Sequence, residues 1–452
     1  MCSREASISH SAPNLASIPV WRYRGVVVWL AASVLAYRFY WVVSRYAVNL
    51  FFFDEWDIYD GLFRGWPWWR FFLEEHGPHR QGLGVTLVTY LLKAARWDSR
   101  MQAYAIAAAI VLAMVLAIVL KVRVFGSLEI SDVVIPILFL GLGQWEVLLS
   151  APGPSAQAFP LLLLIAYGLA WAQGRGWLRY GTISGLNFLL IYTGYGIFAG
   201  LITLVLLAID CWQSWRTGAR TRGPLLAWMA SAASLASFFY GYVFNPAADC
   251  YQFPYRNPAA YSWFMGLMFA KSLGIKRGAV FPALLGIGVV ILLVAVFAQA
   301  FSRVLRADNG ARGVIVILTG YTLLYAAAAA IGRVCLGMET AGSSRNVTLL
   351  IPGLLGIYFY LLMLDHTYRR TLLLSAFVIA VVPACLQRNH KEIEGFSAMK
   401  RAWRNCYLTH ENIEYCDAFS HFELYSRPEA THLRAKLAFL KQNRLNLYAD
   451  DR

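Results

Sequence analysis

Residues 25–43 read GVVVWLAASVLAYRFYWVV, and shortly afterwards residues 49–80 read NLFFFDEWDIYDGLFRGWPWWRFFLEEHGPHR. The first stretch carries one charge, Arg38, and is about as long as the ~20 apolar residues that cross a bilayer as a helix. The second gathers six acids (Asp54, Glu55, Asp57, Asp60, Glu74 and Glu75) among aromatic residues. A spanning helix that delivers the chain into an acidic loop is therefore the starting point of the fold.

The same apolar pattern recurs at 101–120, 159–172, 225–244, 281–301, 314–331, 347–364 and 371–386. Shorter runs at 133–144, 181–192 and 196–209 bring the expected number of crossings to eleven. The 452-residue chain is 59% hydrophobic and only 14% charged, whereas soluble domains carry roughly a quarter charged residues. Its main solvent is lipid. The expected fold is an all-α bundle with interfacial helices in the first outer loop. Residues 1–24 form a cytoplasmic tail, 25–386 the membrane domain with its first outer loop at 46–100, and 387–452 a small extracytoplasmic segment.

The net charge of +15 does not mark a nucleic-acid binder, because the basic residues are dispersed among short connectors in the positive-inside pattern. One topology places fifteen of them inside, including Arg24, Lys121, Arg179, Arg303 and Arg370, and six outside after the first loop. It keeps the N-terminus in the cytoplasm and the C-terminus outside the inner membrane. It also requires 83–92 and 261–275 to lie along the surface as interfacial helices. Cys406 and Cys416 then fall in an oxidising compartment, where a disulfide can form. Cys2, Cys211, Cys250, Cys335 and Cys385 have no metal-ligand spacing and read as small apolar fillers.

Asp54, Glu55 and Asp57 are the candidate catalytic carboxylates. Asp54 follows Phe51–Phe53 directly, which would hold it where the membrane ends, and desolvation there suits a general base. The bland reading is that these acids only solvate a loop. Trp56, Trp66, Trp68 and Trp69 are read as an interfacial aromatic belt in preference to a sugar-stacking platform. His76 and His79 flank Gly77-Pro78, a turn pair, so their spacing fixes no metal geometry. A divalent cation, magnesium or manganese, is the only cofactor the loop invites, and no metal ligand is assigned. Their better use, with Arg80, is to bind substrate. Later, Arg333, Ser344 and Arg345 stand in GRVCLGMETAGSSRN, residues 332–346. Two arginines at outer helix ends invite a phosphate, or they pair with Glu339 and lipid headgroups. Gln144, Glu146 and Gln157 join the same outer surface.

DEWD after the first span, His76, His79 and Arg80 closing its loop, and the later Ser344-Arg345 pair together resemble bacterial membrane glycosyltransferases of the GT-C superfamily. The layout is similar to that of the polyprenyl-phosphate-sugar-dependent mannosyl- and aminoarabinose transferases, over about residues 25–386. Relatives often carry Asn-Glu where Gly77-Pro78 stands and Tyr in place of Asn346. The resemblance implies that Asp54 is catalytic base or metal ligand and that the outer arginines hold a lipid-linked phosphate. It further implies transfer of a sugar from a polyprenyl-phosphate donor to a cell-envelope glycan or lipid acceptor, with membrane lipids as surroundings. No P-loop or dinucleotide fingerprint accompanies these residues. The rival readings are an O-antigen ligase or polymerase using a diphosphate-linked glycan, and a non-enzymatic transporter, for which repeated halves would be expected.

Overall fold

A computed structural model describes residues 21–449 apart from 150–152, 175, 220, 244–252, 276–279, 307–309, 387–388 and 427. Most of the N-terminal tail, Cys2, Cys250, and the connector residues Arg4, Arg175, Arg220, Lys276 and Arg277 lie outside the described residues.

Helices dominate, and their ends fall into two sets. At one end Lys121 meets Asp132 at 2.7 Å, Arg370 meets Glu129 at 2.8 Å and Gln213 donates to the Val304 carbonyl at 2.7 Å. At the other, Arg80 donates to the Phe238 and Tyr240 carbonyls at 3.0 and 2.8 Å, and Asn389 to that of Leu142 at 2.8 Å. Burying such ends requires partners for the charges and free carbonyls left by each helix. The network supplies them. Between the two ends lies one apolar core that includes Phe39, Ile110, Phe139, Tyr167, Leu318 and Leu354.

The chain is a multi-pass membrane protein, but the expected count of eleven is not met by length and composition. Eight helices among the described residues are long and apolar enough to cross: Arg24–Tyr46, Arg100–Phe125, Ile130–Leu149, Gly194–Arg216, Val280–Val304, Ala311–Leu336, Ser344–Leu362 and Thr367–Ala384. Two of the short sequence runs thus grow to full length: a 3-10 turn at 194–196 leads into helix Ile197–Arg216, and 130–149 joins a 3-10 turn, helix Val134–Leu140, a second 3-10 turn at 142–144 and helix Trp145–Leu149. The three that fall short are Phe159–Trp171, Trp177–Ile191 and Arg222–Phe239, of 13, 15 and 18 residues. Thirteen residues rise only about 20 Å, against a hydrocarbon core of about 30 Å. The third is long enough but opens on Arg222 and carries Ser231, Ser234 and Ser237.

A second apolar core lies at one end of the bundle. It joins Phe51, Trp56, Tyr59 and Phe71 of the first loop to Trp403, Phe422 and Leu437 of the C-terminal segment. The segment folds as helices His390–His410, Ile413–Ser420 and Leu433–Asn443, the first two bridged by a Cys406–Cys416 disulfide. The phenylalanine run takes part in this core. Phe52 stacks on Phe422 with ring centroids 4.8 Å apart, and Phe53 tilts against Tyr425. Phe52 and Phe53 thus help seat the C-terminal segment, while Phe51 packs against Trp56 and Tyr59 of the loop itself. Helix Gly82–Ala94 follows the loop. It can begin only at a glycine: Gly82 has φ +59°, and a Cβ there would stand 1.7 Å from the Tyr192 carbonyl oxygen.

Candidate functional site

The loop's backbone sets the site. Short helices at Glu55–Ile58 and Asp60–Phe63 follow Asp54, which stands in helical conformation just before the first of them. Farther on, Glu75–His76 and His79–Arg80 form a two-stranded hairpin whose turn carries Gly77 at φ +57°. The turn chemistry of Gly77-Pro78 therefore governs the histidines, as their sequence indicates. The hairpin brings His76 Nε2 to 3.7 Å from Asp54 Oδ2. Among the described residues no three His, Cys, Asp or Glu side chains converge to hold one ion.

The two candidate neighbours of Asp54 have different surroundings. Glu55 is 3% exposed and accepts hydrogen bonds from the Phe52 amide at 2.6 Å and from Gln102. Burial pushes its carboxyl above the usual range, opposed by nearby Lys400. The desolvated acid is thus Glu55, whose bonds fix the turn that presents Asp54. Asp57 accepts from the Tyr425 hydroxyl of the C-terminal segment at 2.5 Å. Lys436 reaches across to Asp60 at 2.8 Å and to the Trp56 carbonyl at 2.7 Å. A cavity of about 240 Å³ opens at this junction, lined by Asp57, Trp66, Glu74, His76 and His432 among others. Trp66 lies beneath Arg70, 3.9 Å from its guanidinium, whereas Trp56 is core and Trp68 and Trp69 are exposed.

His79 leads from the loop into the bundle. Its ring lies 4.3 Å from that of Tyr195, edge to face, and the Tyr195 hydroxyl accepts from Arg333 Nη2 at 3.2 Å. Arg333 Nη1 donates to Asn346 Oδ1 at 3.4 Å, an atom that also accepts from the Tyr325 hydroxyl at 3.2 Å. Glu146 completes the arrangement. Its carboxylate accepts from Ser343 at 2.5 Å and from the Arg345 amide at 3.1 Å, while its own amide donates to Ser344 Oγ at 3.0 Å. Ser344 is 1% exposed and therefore shapes the turn that carries Arg345. Arg345 itself is half-buried, and its Nε has no hydrogen-bond partner. The charges that act on it are Arg333, Glu146 and Asp54. Asp54, His76, His79, Arg333 and Arg345 are thereby brought to one end of the bundle. Arg80 is adjacent but committed: besides the Phe238 and Tyr240 carbonyls, its guanidinium serves that of Leu73 and pairs with Glu75 at 3.3 Å. Four partners leave it little capacity for a ligand.

Tyr195 and Asn346 were not legible as site residues, and Glu146 was visible only as one more outer polar group. Nothing in a lone Tyr after Thr193-Gly194 or an Asn at a helix start distinguishes it from its kind. Their roles arise from three loops meeting.

Desolvation, reinforced by Arg333, lowers His79 to about 3. It is neutral at physiological pH and adds no charge beside two arginines. The unfolded chain takes up this proton near 6.5, so between about 6.5 and 3 the unfolded state holds more protons and stability falls as pH falls. In detergent, the unfolding midpoint of the wild type should drop more steeply from neutral pH toward pH 4 than that of His79→Asn. Parallel slopes would show that His79 is not held neutral.

The chain matches no family model, no curated protein and no solved structure.

Proposed function

We propose that this protein is a glycosyltransferase that moves a sugar from a polyprenyl-phosphate-linked donor to a hydroxyl of an envelope acceptor. The observation that carries this reading is the Arg345 Nε–H, buried without a partner beside Arg333. A buried unmet donor costs about 1–3 kcal/mol, a cost that a phosphate oxygen in the forked grip of a guanidinium would offset. In this reading the acceptor oxygen attacks the anomeric carbon while Asp54 takes its proton. The bond to the phosphate oxygen breaks, and Arg333 and Arg345 neutralise the departing polyprenyl phosphate. Glu55, Ser344 and Arg80 are positioning residues, and His76 orients Asp54.

The test is turnover by purified protein in lipid nanodiscs given a panel of polyprenyl-phosphate hexoses and pentoses with alkyl glycoside acceptors. Release of polyprenyl phosphate together with a glycosylated acceptor is expected, and nucleotide sugars should be inert. Turnover of nucleotide sugars alone, or of no lipid-linked donor in the panel, would overturn the proposal.

The same reading places the site on the outer face of the cytoplasmic membrane, with eleven crossings. Loop and C-terminal segment share one apolar core and so lie on one side. The first span separates that side from residue 24, so the crossings must be odd in number. Eight is even. Including Phe159–Trp171, Trp177–Ile191 and Arg222–Phe239 restores the alternation, their shortness being met by local thinning of the bilayer. A C-terminal alkaline phosphatase fusion should be active and a green fluorescent protein fusion dark; the reverse would reverse the orientation.

A further inference from the structure

At the end of the bundle away from Asp54, a cleft of about 260 Å³ lies between the end of helix Val280–Val304 and the start of helix Thr367–Leu386. Arg303, Arg312 and Arg369 line it together with His366, and Asp365 is the single acid among its described lining residues. Ala300, Met363 and Leu364 form the apolar part of its wall. Three of the other cations at this end are matched to carboxylates: Lys121 to Asp132, Arg179 to Asp210 and Arg370 to Glu129. Arg303 and Arg369 are exposed and form no ion pair among the described residues.

The position of the cleft says what could reach it. Its two flanking spans are among the least buried in the bundle, 28% and 11% of their apolar windows being covered by protein. They form part of the perimeter that faces lipid. The cleft therefore sets cations at the ends of two lipid-facing spans, at the level where an anionic lipid carries its headgroup.

We propose that this cleft binds the phosphate headgroup of an anionic membrane lipid, with Arg303 and Arg369 as the principal contacts and Arg312 behind them. The headgroup sits between the two helix ends, and its acyl chains run down the groove between the flanking spans. The Tyr360 hydroxyl, which donates to Gln299 in the same wall, offers an oxygen acceptor for a glycerol hydroxyl. This site is independent of the sugar-transfer reading, since it lies at the opposite end of the molecule and shares no residue with it.

The experiment is native mass spectrometry of the full-length protein, delipidated in detergent and titrated with dioleoylphosphatidylglycerol or dioleoylphosphatidylcholine, alongside thermal unfolding in each lipid. One phosphatidylglycerol should remain bound per chain at concentrations where phosphatidylcholine does not. At roughly a fivefold affinity loss for each arginine removed from an anionic surface, Arg303→Ala/Arg369→Ala should bind phosphatidylglycerol roughly 10- to 30-fold more weakly. Arg306→Ala, an exposed arginine at the same end that does not line the cleft, serves as the control and should bind as the wild type does. The proposal is overturned if the double variant, shown folded by an unchanged unfolding midpoint without lipid, binds phosphatidylglycerol like the wild type. Equal binding of the two lipids also overturns it. If inorganic phosphate alone reproduces the full stabilisation, the site belongs to a free anion and the lipid assignment fails.

Discussion

Asp54→Asn should abolish sugar transfer, by on the order of 10²–10⁴-fold, while leaving abundance and donor binding nearly unchanged. The amide keeps the shape of the carboxylate and its place 3.7 Å from His76 Nε2, but it cannot take the acceptor's proton. Asp54 is preferred over its neighbours on structural grounds. Glu55 is buried and spends its oxygens on the Phe52 amide and Gln102, and Asp57 is engaged by Tyr425. Asp57→Asn should therefore cost much less. The assay is glycosylation of acceptor in membranes carrying each variant at matched expression. Retention of more than about a tenth of wild-type activity by Asp54→Asn would contradict the base assignment. Equal losses at Asp54 and Asp57, both relieved by added magnesium or manganese, would instead assign the pair to a metal.

Arg345→Ala is expected to lower turnover by about 10²–10³-fold, the usual effect of removing one donor that stabilises developing charge. Arg345→Lys should recover only a small part of that loss. A guanidinium offers five N–H groups in a fixed fork, whereas an ammonium is a compact point charge that does not reach two phosphate oxygens in the same plane. The Glu146 contacts that hold the turn involve the Arg345 amide and the serines, not its side chain. Both variants should consequently fold, with unfolding midpoints near that of the wild type. If the arginine serves the leaving group, the defect appears in kcat with a smaller change in KM. Full activity in both variants would remove Arg345 from the phosphate role, and with it the main support for a lipid-linked donor.

How much of this was open to reading in the sequence differs from element to element. All eleven apolar runs are helices, since an uninterrupted apolar stretch in a chain this poor in charge has few other ways to satisfy its backbone. Their lengths were less legible. The runs at 133–144 and 196–209 looked too short, because a hydropathy pattern stops at polar residues such as Asp132, Glu146 and Asp210, which the structure retains inside or beside its helices by pairing or capping them. The run at 225–244 looked secure, yet its helix ends at Phe239, and Tyr240 instead gives its carbonyl to Arg80.

The candidate site divides in the same way. Residue type and spacing alone singled out the acidic first loop, the Gly77-Pro78 turn between two histidines and the two arginines of the 332–346 loop. Each of these is a local signal, carried by chemistry within a few positions of chain. Which acid is desolvated, which arginine is saturated and which keeps an unmet N–H were decided only when distant segments met. Glu55 faces Gln102, Arg80 is enclosed by the end of helix Arg222–Phe239, and Arg345 stands on a turn tied to Glu146. Burial and partner choice depend on contacts between residues as far as 380 positions apart in the chain, and no local pattern encodes them. The sequence by itself therefore determined that the chain lives in a membrane and where its chemistry-bearing residues lie. Tertiary structure decided which of them present reactive groups to a common site and which are consumed in building it.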